Sequence, residues 1–190
     1  MLIKKLELEN FRQYIGYQTI GFSTDREKNV TVLIGVNTSG KTTLVRAFEW
    51  VLYGTNEFDD KILLNKNVAE NMQVGETKAV KGALTIEHDS GTGTPITYVI
   101  ERKQIYTSTG TSVRANVSEA KISYFQPDGQ TKTILNTDFN TNIERILPRR
   151  LSNYFFFGGE RVGNIATKSD IEESVQGLMG LDVLKNAMSH

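Results

Sequence analysis

Cysteine is absent from the sequence, which removes disulfides, thiolate zinc sites and cysteine nucleophiles. Long apolar runs are missing as well. No stretch approaches the ~20 residues that a membrane span needs. The opening residues Met1–Phe11 hold a lysine pair but no apolar segment running into small residues, so they do not read as a signal peptide. A cytoplasmic setting is expected. Net charge is missing too, with Lys+Arg and Asp+Glu both at 22. A free-standing nucleic-acid-binding domain usually carries a basic excess. Any contact with nucleic acid must therefore come from a local patch or from chain beyond this one. Proline is scarce, at three residues, while 38% of the 190 residues are apolar. That composition can bury the core of one ordinary domain and argues against disorder.

What is present reads as an α/β pattern. Leu2–Leu8 alternates apolar and polar with one slip, as a strand does, and Tyr17–Phe22 is a second candidate. Val30-Thr31-Val32-Leu33-Ile34 is apolar or β-branched throughout, the composition of a strand covered on both faces. Lys41–Tyr53 reads as a helix, with Leu44, Phe48, Val51 and Leu52 on one face and Gly54 at the expected stop. Residues 55–78 are polar and aperiodic apart from Ile62-Leu63-Leu64, which predicts a long loop with one short helix. Four strand-like runs follow: Ala83–His88, Ile96–Gln104, Val113–Phe125 and Thr131–Leu135. Turn-rich segments separate them, which predicts an antiparallel meander over 83–135. Asp138–Ile146 is a short helix with Thr137 or Asp138 as its cap. Leu151–Phe157 is an aromatic strand. Asp170–Ala187 is a last helix, weakened by Gly177 and Gly180.

The chemistry sits between the third expected strand and the first helix. Gly35-Val36-Asn37-Thr38-Ser39-Gly40-Lys41-Thr42 matches G-x-x-x-x-G-K-[ST], directly after a buried-type strand and directly before an amphipathic helix, which is the context the motif requires. The glycines allow a tight turn and leave room beside phosphates. Backbone N–H groups of Asn37, Thr38, Ser39 and Gly40 then converge on phosphate oxygens at a helix N-terminus, where the helix dipole also favours anions. Lys41 supplies a mobile charge to β- and γ-phosphates, and the Thr42 hydroxyl is placed to ligate Mg²⁺. Thr43 is in reach of an α-phosphate. The expected ligand is ATP with Mg²⁺. A plain glycine turn capping a helix would explain neither Lys41 nor the strand before it.

Two things that hydrolysis needs do not appear. No downstream apolar strand ends in Asp-Glu to hold the metal and activate water. The nearest candidate, Glu87-His88-Asp89, closes a weakly apolar strand in the meander. No LSGG-like signature for contacting a second nucleotide is found either. The residues read as a binding half-site.

A family resemblance fits that reading. Asn10-Phe11-Arg12 followed by Gly35–Thr43 resembles the opening of SMC-like ATPases such as RecF and RecN. Thr38 stands where glycine is usual. Asn153-Tyr154-Phe155-Phe156-Phe157-Gly158-Gly159-Glu160-Arg161-Val162 resembles the FFFDGE(K/R)I segment of DndD-type proteins, the SMC-like ATPases of DNA phosphorothioation systems. Trp50–Gly54 and Gly177–Leu184 are similar to further stretches of that family. The resemblance implies that residues 1–165 are the N-terminal half of an ATPase head and that 166–190 lead into a coiled coil. The C-terminal half would bring the signature and the catalytic acid, and two heads would engage on DNA beside other modification-system proteins. It implies a phosphate or adenine contact for Arg12. It also places a catalytic loop at Gly158, where the family carries Gln or Asp. Glycine has no side chain for that role: either the role is lost, Glu160 partly replaces it, or the residue has been changed.

Basic candidates for DNA are Lys4, Lys5, Lys61, Lys66, Arg102, Lys103, Lys121, Lys132, Arg149 and Arg150. They are scattered, as solvated surface charges usually are. On the resemblance, the 83–135 meander is the expected DNA face. Two other classes compete: an ABC-transporter-type ATPase, and a nucleotide-binding regulatory module without turnover. A half-head would leave apolar surface uncovered, so poor solubility or self-association is expected.

Overall fold

The first strand outruns its alternating pattern. In the computed structural model, β1 spans Leu2–Phe11 and β2 spans Tyr14–Gly21. The structure describes residues 1–25, 27–36, 39–88, 94–125, 131–149 and 152. The expected helix α1 covers Lys41–Tyr53, with the bounds that its apolar face and Gly54 predict. A short α2, Lys66–Glu70, is followed by β3 (Thr77–His88), β4 (Ile96–Ser108), β5 (Val113–Phe125) and β6 (Thr131–Leu135). The final described helix, α3, is Asn136–Ile146.

The strands form one six-stranded sheet in the order β2-β1-β3-β4-β5-β6, and each of the pairings is antiparallel. The meander is therefore found, and the opening hairpin β1–β2 extends it across β3. The α/β class holds. Alternation decides which face is covered: Leu6, Leu8, Val80, Leu84, Ile86, Ile100 and Ile122 are buried, and Ala47, Trp50 and Val51 of α1 join them in one core. Each such side chain contributes roughly 1.5–3 kcal/mol of burial. The approach of α1 depends on Gly82: a Cβ there would lie 2.5 Å from Val51 Cγ2 and 2.9 Å from Trp50 Cζ3.

One expected strand does not form. Val30–Ile34 belongs to no strand, and Val30, Val32 and Ile34 are 77%, 74% and 95% exposed. The composition is right for a strand buried on both faces, but a strand needs a neighbour to take its N–H and C=O groups. Among the described residues none lies beside it. The α3 cap also differs. The helix begins at Asn136 behind Leu135, with no side-chain cap, and Asp138 sits in its first turn, where its charge suits the helix dipole.

The 55–78 segment is more ordered than its aperiodic sequence suggests. Phe58, Leu63 and Leu64 are buried, Leu64 makes an isolated bridge to Phe11, and Leu63 N donates to the buried Tyr106 hydroxyl at 2.9 Å. The expected 151–157 strand (apart from Ser152), Gly158–Arg161 and the 170–187 helix lie outside the described residues. Among the described residues, no helix is long and apolar enough to cross a membrane.

Candidate functional site

The strand-to-helix loop ends on Gly40, the α1 N-cap, at φ 103° and ψ 7°. That left-handed conformation is cheap only for glycine. A side chain would also meet Gln13 Nε2 at 2.6 Å and Tyr14 Oη at 2.7 Å. No side chain caps α1 and no acidic residue stands in its first turn. The helix thus presents unsatisfied N–H groups and an uncancelled positive dipole end to whatever approaches, which is the physical requirement for holding an anion.

Lys41 folds back over the loop. Its Nζ donates to the carbonyls of Gly35 at 2.5 Å and Val36 at 2.8 Å. Both acceptors are neutral, so a phosphate would compete well for this cation. Ser39 N donates to Val36 O at 3.2 Å, which tightens the turn. Lys41 and Thr42 are exposed, while Thr43 is buried. Gly35, Ser39, Gly40, Lys41, Thr42 and Thr43 are thus brought together at one helix end. Asn37 and Thr38 lie outside the described residues.

The wall behind the loop is the β1–β2 turn, and only Arg12 of it is anticipated by sequence. Thr43 Oγ1 donates to Gln13 Oε1 at 3.0 Å, and Tyr14 Oη donates to Gly40 O at 3.2 Å. Gln13 and Tyr14 carry no motif of their own. Their adjacency to Asn10-Phe11-Arg12 is the one signal that points to them. The Arg12 guanidinium turns the other way. It donates to Ile62 O at 2.6 Å, pairs with Asp60 at 3.4 Å and lies 4.6 Å from the centre of the Phe58 ring. Beside it, a polar cleft of about 840 Å³ opens between α2 and the β4–β5 turn.

Glu87 and His88 sit far from this loop. Glu87 pairs with Leu2 at the start of β1, and β1 is 10 residues long, so some 30 Å of strand at ~3.3 Å per residue separates it from the β1–β2 turn. Glu87 is also bound to Lys4 at 2.7 Å. Asp89 and the candidate catalytic Glu160 lie outside the described residues. Among the described residues, no group of three or more acidic or histidine side chains could hold a metal.

The basic candidates divide sharply. On the sheet face away from α1, lysines oppose glutamates across strands: Lys121–Glu101 at 3.0 Å, Lys103–Glu119 at 4.0 Å and Lys81–Glu9 at 2.8 Å. Lys5 pairs with Glu7 at 2.9 Å. Burial pushes the Glu7 carboxyl up, but hydrogen bonds from Tyr17 and Lys5 outweigh it and hold the group below its ordinary value. Lys66 pairs with Glu70 at 3.7 Å, Lys61 donates to Asn56 O at 2.9 Å, and Arg149 reaches Thr55 Oγ1 at 3.1 Å. Arg102 is half-buried rather than a free surface charge. It donates to Val51 O at 3.2 Å and Leu52 O at 3.5 Å, and burial brings its pKa down to about 10. Lys132 is exposed, and Arg150 lies outside the described residues. The expected DNA face is therefore a near-neutral lattice of ion pairs.

The helix and the antiparallel sheet behind it have the mixed α/β fold of the N-terminal lobe of solved SMC ATPase heads. The chain belongs to the AAA domain family, whose model matches residues 5–189. The chromosome partition protein Smc of Halothermothrix orenii is 34% identical over 93 residues, which is 47% of this chain and 7% of that protein. The chain thus spans under a tenth of that relative's length. A solved chain described as "Structural biochemistry of ATP-driven dimerization and DNA stimulated activation of SMC ATPases" superposes with TM-score 0.53 at 17% identity, covering 94% of this chain and 99% of its own. The SMC head domain from Thermotoga maritima gives 0.34 at 23% identity, covering 72% of this chain and 37% of its own.

Proposed function

We propose that this chain is the nucleotide-binding half of an SMC-type ATPase head, which binds ATP with Mg²⁺ at Gly35–Thr43. The observation that carries the reading is the α1 N-terminus. It has no side-chain cap and no acidic residue in its first turn, and it is overhung by Lys41, whose Nζ, among the described residues, is held by two neutral carbonyls. The backbone of the loop cradles the phosphates, Lys41 leaves the carbonyls for β- and γ-oxygens, and Thr43 reaches the α-phosphate. The exposed Thr42 hydroxyl suits the metal, which when bound neutralises phosphate charge. On this reading Arg12 leaves Ile62 O and Asp60, which hold its guanidinium turned away from the loop, to reach the same nucleotide.

The site is completed from outside the described residues, by the C-terminal half of the head and by a second head. The exposed Val30–Ile34 segment supports this, because a stretch of that composition suits a strand inside a sheet. ATP binding then drives head engagement on DNA. Within the SMC-like class, the Asn153–Val162 and Gly177–Leu184 stretches favour a DndD-like role in DNA sulfur modification or restriction, acting with other modification-system proteins.

The test is nucleotide binding and turnover by the chain, with Lys41→Ala as the control. Magnesium-dependent ATP binding that Lys41→Ala weakens at least tenfold, with negligible hydrolysis, is expected. Equal binding by both proteins would remove the loop from the argument. Robust turnover abolished by Lys41→Ala would sink the half-site.

A further inference from the structure

Gln13 stands where no phosphate-binding motif would put a functional residue, and the backbone goes to some trouble to hold it there. Asn10 and Arg12 both adopt left-handed conformations, at φ 54° and 52°. Asparagine tolerates this, but arginine does so at a cost. The register of β1 shifts between Glu9 and Phe11. The flanking segment clamps the distorted stretch: Arg12 N donates to Leu63 O at 2.7 Å, Asn65 N donates to Asn10 O at 2.8 Å, and Asn65 Nδ2 donates to Arg12 O at 2.5 Å. The product of this geometry is a Gln13 side chain aimed at α1. Its Oε1 accepts from Thr43 Oγ1 at 3.0 Å, while its Nε2 packs against the bare Cα of Gly40.

We propose that Gln13 is a positioning residue of the phosphate-binding loop, one that holds the Thr43 hydroxyl in the free chain and lets its hydrogen bond turn to the nucleotide's α-phosphate on loading. The inference rests on the nucleotide reading above. A threonine hydroxyl has one proton to give. In the free chain it goes to Gln13 Oε1. An anionic phosphate oxygen is the stronger acceptor, so on loading the hydroxyl turns to it. Oγ1 then offers only lone pairs toward Gln13. A glutamine amide meets both states, because turning over replaces Oε1 with the donor Nε2. Methionine of similar length meets neither. Glutamate meets only the first, competes for the single proton and adds charge beside the phosphates.

The experiment is a double-mutant cycle on MgATP affinity, measured calorimetrically with the full chain. Gln13→Met is expected to weaken binding about fivefold, because the loaded state loses the bond from Nε2 to Oγ1 while in the free chain water at the open loop takes the hydroxyl that Gln13 gave up. Gln13→Glu should weaken it more than Gln13→Met does. In a Thr43→Val background, Gln13→Met should cost nothing further, whereas in a Thr43→Ser background its cost should return. That dependence on the hydroxyl separates positioning from a merely structural role, and unfolding temperatures taken alongside confirm that each variant is folded. Should Gln13→Met unfold the chain, Gln13→Asn carries the same cycle, since its amide stops one methylene short. Unchanged affinity in Gln13→Met, or an equal loss with and without the Thr43 hydroxyl, overturns the proposal. Equal binding by wild type and Lys41→Ala is a different failure: it overturns the nucleotide reading itself, and this inference with it.

Discussion

The guanidinium of Arg102, on β4, lies 5.0 Å from the centre of the Phe139 ring on α3 while it caps the last carbonyls of α1. One cation thus ties the C-terminal end of α1 to the sheet and to the helix beyond. A positive charge at a helix C-terminus is favourable, and the desolvated aromatic face adds to it. Arg102→Ala should lower stability by roughly 2–4 kcal/mol, counting the capping bonds, the ring contact and the lost packing. Urea unfolding measures it, and a loss under about half a kcal/mol would mean that the contact is idle. Arg102→Lys should recover only part, because an ammonium lacks the planar fork.

Gly82→Val tests how α1 lies on the sheet. Its Cβ would have to displace Val51 and Trp50, both at the centre of the core. Overpacking of this kind costs about 1–3 kcal/mol. An unfolding midpoint within error of wild type would show that α1 can move away freely.

Gly40→Ala tests the loop. An alanine at φ 103° is strained by about 1–2 kcal/mol, and its methyl group enters the space of Gln13 and Tyr14. Nucleotide affinity should fall at least tenfold, more than stability alone accounts for. Affinity within twofold of wild type would show that the helix N-cap does not set the anion site.

The Lys5–Glu7 pair sets a pH window. Glu7 titrates below its ordinary 4.5. Its contribution is therefore full above that value and is lost as pH falls through the lower folded-state pKa. Lys5 is raised above 10.5, chiefly by its hydrogen bond to Glu7. Its contribution is full below 10.5 and lost as pH rises through the higher folded-state value. Lys5 is 44% exposed, so solvent screening keeps its share to a few tenths of a kcal/mol at most. Glu7→Gln should flatten the acid limb of a stability–pH curve, measured by urea midpoint at several pH values. An unchanged acid limb would assign that limb to other carboxylates.

The ion-pair lattice predicts weak DNA binding by the open sheet face. Glu101→Gln with Glu119→Gln frees Lys121 and Lys103. Duplex DNA should then bind more tightly, with a log–log salt slope steeper by about two. A wild-type chain that already binds strongly, with a slope that the double variant leaves alone, would return the DNA site to this face.

What the sequence reveals here is what its local signals encode. The bounds of α1 follow from an apolar face and a glycine stop, both contained within Lys41–Gly54. The meander follows from turn residues between β-branched runs. Val30–Ile34 shows the limit. Its side chains announce burial, but pairing depends on a neighbour from elsewhere. Arg102 shows it again, because a cation between strand residues looks solvated until α3 covers it. Gln13 reaches Thr43 across 30 positions through a turn set by two left-handed residues, and no periodicity reports that. Tyr106 fastening Leu63 is equally remote, so an aperiodic loop turned out to be part of the core.

In the cell, the unpaired Val30–Ile34 segment becomes a matter of timing. It leaves the ribosome about a hundred residues ahead of β6, which at 5–20 residues per second is on the order of ten seconds. Throughout that interval an apolar, exposed and unpaired stretch offers its backbone to any passing strand. An apolar stretch left uncovered for that long is the kind of surface that holding chaperones bind.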